Sequence, residues 1–182
     1  MPARTPRRYD RASLWEYALR VLSGRAHSAG EMRTKLSRRA ERGEDVDDVM
    51  SQLHQYGYLD DKRFAESYAT ARLENQQFGR ARVLRELRQR RVAASTTEKS
   101  VAKVYGDVDE AALIEEWIRR KYRNAPREGL FQEDKDLASA YRRLAHAGFR
   151  SGEIIKVLKR IAKDPDRLDR FEPPEEEMED PS

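Results

Sequence analysis

Gly57-Tyr58-Leu59-Asp60-Asp61-Lys62-Arg63-Phe64-Ala65 holds a helix stop and a helix start in one short run. Glycine accepts the left-handed backbone that follows many helix C-termini, so Gly57 reads as the C′ position of a helix ending near Tyr56. Asp60 then reads as the N-cap of the next helix, its carboxylate accepting from amides of the first turn. In that register Leu59 is N′ and Phe64 is N4, the pair that forms a hydrophobic staple. The adjacent carboxylates Asp60 and Asp61 raise the question of a metal or nuclease site. Such a site needs further converging ligands, and none is found, whereas capping needs no other residue. Gly57, Leu59, Asp60 and Phe64 therefore read as a structural joint between two helical units. With Phe64 as a buried core residue, Phe64→Ala is expected to cost about 3–5 kcal/mol.

Helix starts recur on both sides of this joint. Ser13…Glu16, Ser28…Glu31 and Ser95…Glu98 fit the capping box, and Asp107…Glu110 is an aspartate variant of it. Asp45 and Ser151 read as simpler N-caps. No run alternates strictly between apolar and polar residues, so no strand is expected. The helices also repeat. Tyr17, Ala18 and Leu22 return 51 positions later as Tyr68, Ala69 and Leu73, and Leu36 returns as Leu87 and then as Leu144. Ten positions beyond these leucines stand Val46, Thr97 and Ile154, of which Thr97 is the one poor match. Fourteen positions beyond stand Met50, Val101 and Leu158, and seventeen beyond stand Leu53, Val104 and Ile161. Self-similarity at a fixed period marks stacked units. The expected architecture is all-α, an elongated, curved tandem array of three three-helix units with about nine helices. Its parts are a basic N-terminal arm (1–12), units one (13–57), two (58–106) and three (107–163), and a disordered acidic tail (164–182).

Composition agrees with narrow helical stripes. Of 182 residues, 38% are hydrophobic and 38% charged, too few apolar positions for a sandwich with two buried sheet faces. Cysteine is absent, which excludes disulfides, thiolate metal sites and cysteine nucleophiles. No apolar run reaches the length of a membrane span, and the N-terminal segment has no signal-like core. The expectation is a soluble, cytoplasmic, monomeric protein with no membrane partner. Charge is uneven. Asp164, Asp166, Asp169, Glu172, Glu175, Glu176, Glu177, Glu179 and Asp180 face only Arg167 and Arg170 in the tail, a net −7. The whole chain carries +4, so residues 1–163 carry +11. Such a body suits a polyanion or an acidic protein surface, for which the tail could compete from within the chain.

Two basic faces are candidates for that contact. On a helical wheel Ile154, Ile155, Val157, Leu158 and Ile161 share one side of the last helix, and Lys156, Lys159, Arg160 and Lys163 share the other. In the middle unit Arg82 and Arg85 point away from the stripe of Val83, Leu84 and Leu87, and Arg88 flanks it. The competing reading is a solvated surface with pairs such as Glu86–Arg90, worth about 0.3–0.5 kcal/mol each. Trp15, Tyr17, Tyr68, Trp117 and Tyr122 fall at helical spacing inside apolar stripes and read as core. His27, His54 and His146 read as turn or surface residues. Phosphate-loop, dinucleotide and nucleophile-elbow motifs are missing, so no enzyme activity, cofactor or metal is expected.

The joint, continued by Glu66-Ser67-Tyr68, resembles the RecX family of recombinase regulators. Phe78-Gly79-Arg80-Ala81-Arg82-Val83-Leu84-Arg85-Glu86-Leu87 is similar to the family's Gly-x-x-x-Ile-x-x-Glu-Leu segment. Arg143-Leu144-Ala145-His146-Ala147-Gly148-Phe149, running into Ile154-Ile155-Lys156-Val157-Leu158, is a third match. The resemblance covers residues 13–163 and departs in two places. Arg91-Val92-Ala93 has no glycine between the second and third helices of the middle unit, and the first unit's turn from Arg39 to Glu44 is longer. The resemblance implies a regulator of recombination, DNA repair and the SOS response. That regulator would bind the RecA recombinase filament and inhibit its growth, ATP hydrolysis and strand exchange, with single- or double-stranded DNA as a weak, secondary partner. The residues alone leave two alternatives open, a free-standing DNA-binding protein built from basic three-helix units and a helical scaffold for an acidic partner.

Overall fold

The structure, a computed structural model, describes residues 8–123, 131 and 134–161. Lys163, the acidic tail, residues 1–7 of the arm and most of the 124–133 connection lie outside the described residues. Within them the chain forms nine α-helices: α1 (Arg11–Gly24), α2 (Ala29–Ser37), α3 (Gly43–Gln55), α4 (Asp61–Gln76), α5 (Arg80–Gln89), α6 (Ala94–Tyr105), α7 (Glu110–Lys121), α8 (Asp134–His146) and α9 (Ser151–Ile161). Tyr9 and Ala40 form an isolated β-bridge, and the described residues hold no strand.

Packing divides the chain into two compact units. The first comprises residues up to Ala69 together with Leu84–Val104, and the second Thr70–Val83 with the residues from Tyr105 onward. In the first, α1, α2 and α3 enclose Leu14, Ala18, Met32, Leu36, Val46, Val49, Met50, Leu53 and Leu59. In the second, α7, α8 and α9 enclose Ile114, Ile118, Leu137, Ala140, Leu144, Ile154, Val157 and Leu158. Burial follows the sequence repeat. Leu36, Leu87 and Leu144 are each fully buried. Val46, Thr97 and Ile154, and Met50, Val101 and Leu158, are buried as well. Thr97 thus occupies a core position despite its hydroxyl.

The joint is a Schellman turn. Gly57 has φ +71°, its amide donates to His54 O, and the Tyr58 amide donates to Leu53 O. Asp60 caps α4 by accepting from the Arg63 amide at 2.9 Å. Leu59 is buried against the α1–α3 core, but Phe64 is only half-buried and stacks on Tyr68 at 6.0 Å. Its place is a ring shelf rather than the core, which corrects the expected cost of truncating it. The same turn closes α5 and α8. Arg91 (φ +60°) and Gly148 (φ +93°) occupy the left-handed position, with Val92 donating to Leu87 O and Phe149 to Leu144 O. Arg91 therefore takes the conformation for which a glycine was expected.

Several caps differ from the sequence reading, each because the preceding turn decides where a helix can begin. Ser28 makes the full capping box with Glu31. Ser13 lies inside α1 instead. The bridge through Tyr9 ends one residue earlier, so Asp10 becomes the cap and accepts from the Ser13 amide. Ser95 lies inside α6, because the turn at Arg91 leaves only Val92 and Ala93 before Ala94. Asp109, not Asp107, caps α7 through the amides of Ala111 and Ala112. Asp45 is buried in the first turn of α3, where Arg42 holds it at 2.8 Å. Ser151 opens α9, and its hydroxyl accepts from the Tyr141 hydroxyl at 2.9 Å.

Candidate functional site

The most unusual surface belongs to the second unit and is built by a meeting of helix ends. The Gly79 amide donates to Ala147 O at 2.8 Å and the Ala81 amide to Gly148 O at 3.1 Å. Amides at the start of α5, which have no partner within their own helix, are thus satisfied by carbonyls just past the end of α8. The backbones approach so closely that a Cβ on Gly79 would lie 2.2 Å from Gly148 O, and one on Gly148 would lie 2.3 Å from the Arg82 amide nitrogen. In the first unit the start of α2 meets the end of α5 in the same way. A Cβ on Gly30 would lie 2.5 Å from Arg91 O, and the Ser28 hydroxyl donates to Arg90 O.

Beside the Gly79–Gly148 crossing opens a cleft of 1120 Å³. Gln76 lines it from the end of α4, Phe78 from the link to α5, Arg82 from α5, Trp117, Arg120 and Lys121 from α7, Arg123 from the turn after it, and Arg142, Arg143 and His146 from the last turns of α8. No carboxylate is among the described residues that line it. The partial negative charge at the C-terminal ends of α7 and α8 favours cations there, which permits this density. Three contacts order the wall. The Arg82 guanidinium lies 3.7 Å from the centre of the Phe78 ring, Tyr105 donates its hydroxyl to Phe78 O at 2.8 Å, and Arg120 donates to Asn75 O at 2.6 Å.

Elsewhere a number of arginines and lysines pair with carboxylates. Arg11 pairs with Asp48, Arg33 with Asp47, Arg88 with Glu98, Arg90 with Glu31, Lys103 with Glu66 and Arg150 with Glu110. Lys121, Arg123, Arg142 and Arg143 make no ion pair among the described residues. A group of like charges that no described carboxylate neutralises, next to Trp117 and Phe78, is chemically suited to phosphates and the faces of bases, or to an acidic segment.

The residues expected to make a contact are not gathered here. Arg82 lies in the cleft, half-buried, rather than on a solvated face. Arg85 and Arg88 lie further along α5 in the first unit, both exposed, with Arg88 3.4 Å from Glu98. Lys156, Lys159 and Arg160 line a separate 420 Å³ hollow with Ala111 and Glu153. There Lys156 pairs with Glu153 at 2.7 Å and Arg160 with Glu115, which neutralises much of that face. Lys163 lies outside the described residues. Arg120, Lys121, Arg123, Arg142 and Arg143 were missed in the sequence. The signal was present in the runs Arg119-Arg120-Lys121 and Arg142-Arg143, which close two helices separated by the 124–133 connection.

The aromatic residues also differ from expectation. Trp15, Tyr17, Trp117 and Tyr122 are half-buried at the edges of the cores and Tyr68 is half-buried against Phe64, whereas the rings buried in the second core are Phe131, Tyr141 and Phe149. His27 lies in the α1–α2 turn as expected but is buried there, its Nδ1–H donating to Arg25 O at 2.9 Å, and burial holds its pKa below the ordinary imidazole value. His54 and His146 are exposed. Among the described residues no group of three or more His, Asp and Glu could hold a metal ion, and no helix is long and apolar enough to cross a membrane.

Among the described residues these features define an all-helical protein with repeated helix-end contacts and a cationic cleft. The sequence matches two family domains, "RecX, first three-helix domain" over residues 15–53 and "RecX, second three-helix domain" over residues 60–100. It is 31% identical over 172 residues to the regulatory protein RecX of Escherichia coli (strain SE11), covering 89% of this chain and 99% of that one. It is 32% identical over 168 residues to that of Salmonella arizonae, covering 87% and 97%. The fold is similar to a crystal structure of regulatory protein RecX, with TM-score 0.64 and 21% identity over 81% of this chain and 70% of that one. It is also similar to RecX from Lactobacillus salivarius, with TM-score 0.62 and 17% identity over 88% and 97%. The chain belongs to the RecX family of regulatory proteins.

Proposed function

We propose that this chain regulates homologous recombination and DNA repair by binding the RecA recombinase filament and inhibiting its growth, ATP hydrolysis and strand exchange. Family membership supports a regulatory role, and the cationic cleft is the observation that supports a filament on DNA as the target. Such a filament offers both phosphates and protein carboxylates, and the cleft has donors for either. Arginine forks grip these groups in two-point contacts, while lysine supplies a hydrated point charge. We assign the principal contact to Arg82, Lys121, Arg123, Arg142 and Arg143, with Arg85, Arg88, Lys156, Lys159 and Arg160 as outlying contributors. Any effect on ATP turnover is then exerted on the partner's active site.

The test is ATP hydrolysis by RecA on single-stranded DNA at physiological salt, titrated with this protein. Inhibition well below one protein per recombinase protomer is the expected result. A folded protein that leaves hydrolysis unchanged at stoichiometric excess would overturn the reading. The density of cations beside Trp117 and Phe78 favours one second reading, direct binding of nucleic acid. Affinity for naked DNA would then fall with salt, with a slope of about −0.7 per phosphate neutralised on single strands and about −0.9 on duplex.

A further inference from the structure

We propose that the acidic segment 164–182 seats in the cationic cleft of its own chain, as a tethered polyanion that an external anionic partner must displace. The inference rests on the reading of the cleft as a polyanion site, and it adds a means of regulating that site.

The first argument is charge. The cleft holds Lys121, Arg123, Arg142 and Arg143 without an ion pair among the described residues, and no carboxylate is among the described residues that line it. The chain places its densest acidic run, Glu175-Glu176-Glu177 followed by Glu179-Asp180, a short way beyond α9. Cations crowded together repel one another, so an anion that enters the cleft relieves that repulsion as well as forming its own contacts.

The second argument is the path of the chain. Arg150, just before α9, pairs with Glu110 at the start of α7, and Arg160 near the end of α9 pairs with Glu115 in the middle of α7. The two helices therefore run in the same general direction, and α9 ends beside the part of α7 that leads through Trp117 and Lys121 into the cleft. From Glu115 to Lys121 the axis advances only about 9 Å, at 1.5 Å per residue. The chain from Ile161 to Glu175 can span up to about 50 Å. A tether of that length holds a ligand at an effective concentration on the order of millimolar, enough for contacts that would be weak between separate molecules.

The test uses the full chain in a Trp15→Phe background, which leaves Trp117 as its single tryptophan. The tail is neutralised by Glu175→Gln, Glu176→Gln, Glu177→Gln, Glu179→Gln and Asp180→Asn. Two quantities are read in each protein: quenching of Trp117 by acrylamide, which is uncharged and so reports cover rather than field, and affinity for a 20-nucleotide oligothymidylate. With the tail neutralised, quenching is expected to rise at least twofold without any ligand, and oligonucleotide affinity to rise about threefold to tenfold at low salt. Adding Arg142→Glu and Arg143→Glu should abolish the difference in quenching. Unchanged quenching overturns the inference, including the case in which affinity alone rises, because that pattern reports long-range repulsion and not a seated segment. Increased quenching with unchanged affinity upholds the seated tail and counts instead against the cleft as a nucleic-acid site.

Discussion

At Phe64 the difference between a core ring and a shelf ring is a matter of free energy. The ring is half-buried and stacks on Tyr68, so Phe64→Ala should cost about 1.5–2.5 kcal/mol, roughly half of what a fully buried phenylalanine costs. Chemical denaturation of the variant checks this, and a loss above about 3 kcal/mol would return Phe64 to the core. His27 carries a pH dependence. Burial lowers its pKa below 6.5, with Arg25 and Lys35 acting in the same direction and the Arg25 carbonyl and Glu31 opposing. The unfolded chain therefore takes up a proton at pH values where the folded chain does not, so stability falls as pH drops below about 6.5. His27→Gln should flatten that part of the curve, measured as the difference in melting temperature between pH 7.5 and pH 5.5. An undiminished slope in the variant would assign the dependence to other groups.

Between elements, the contact of helix ends matters more than any single side chain. Gly148 has a left-handed φ, and an added Cβ would lie 2.3 Å from the Arg82 amide nitrogen. Gly148→Ala therefore adds backbone strain and forces α5 and α8 apart, weakening the hydrogen bonds from Gly79 and Ala81. A loss of about 2–4 kcal/mol is expected, the cost of strain at a constrained backbone plus a displaced contact. Hydrogen exchange should show faster exchange at the amides of Gly79 and Ala81 than in the parent. Gly152, in the first turn of α9, has nothing within 4 Å of its Cβ position, so Gly152→Ala serves as the control and should be tolerated.

Across the molecule, many described cations pair with carboxylates, whereas Lys121, Arg123, Arg142 and Arg143 in the cleft make no ion pair among the described residues. Reversing Arg142 and Arg143 should weaken polyanion binding at least tenfold and make its salt dependence shallower. Reversing Arg85 and Arg88, of which Arg88 already faces Glu98, should have a smaller effect. Equal losses from both pairs would mean that net charge, and not the cleft, governs binding. Both variants keep their helices on this account, because Arg85, Arg88, Arg142 and Arg143 are all exposed; circular dichroism checks this.

Sequence alone determined the elements and their repetition. Helical periodicity, the glycine turn at Gly57 and the recurrence of Leu36, Leu87 and Leu144 are local or evenly spaced signals, and burial follows them even at Thr97. Cap positions were legible only where a single polar residue was compatible with the preceding turn, as at Ser28 and Asp60. The cleft was not legible. Its cations come from α5, α7, the turn after α7 and α8, so no window of sequence contains them, and a wheel cannot distinguish a paired arginine from an unpaired one. That distinction depends on which carboxylates the fold brings within about 4 Å. Arg88, Lys156 and Arg160 looked as free as Arg142 and Arg143 until packing supplied Glu98, Glu153 and Glu115 to the first three and left the last two open to solvent.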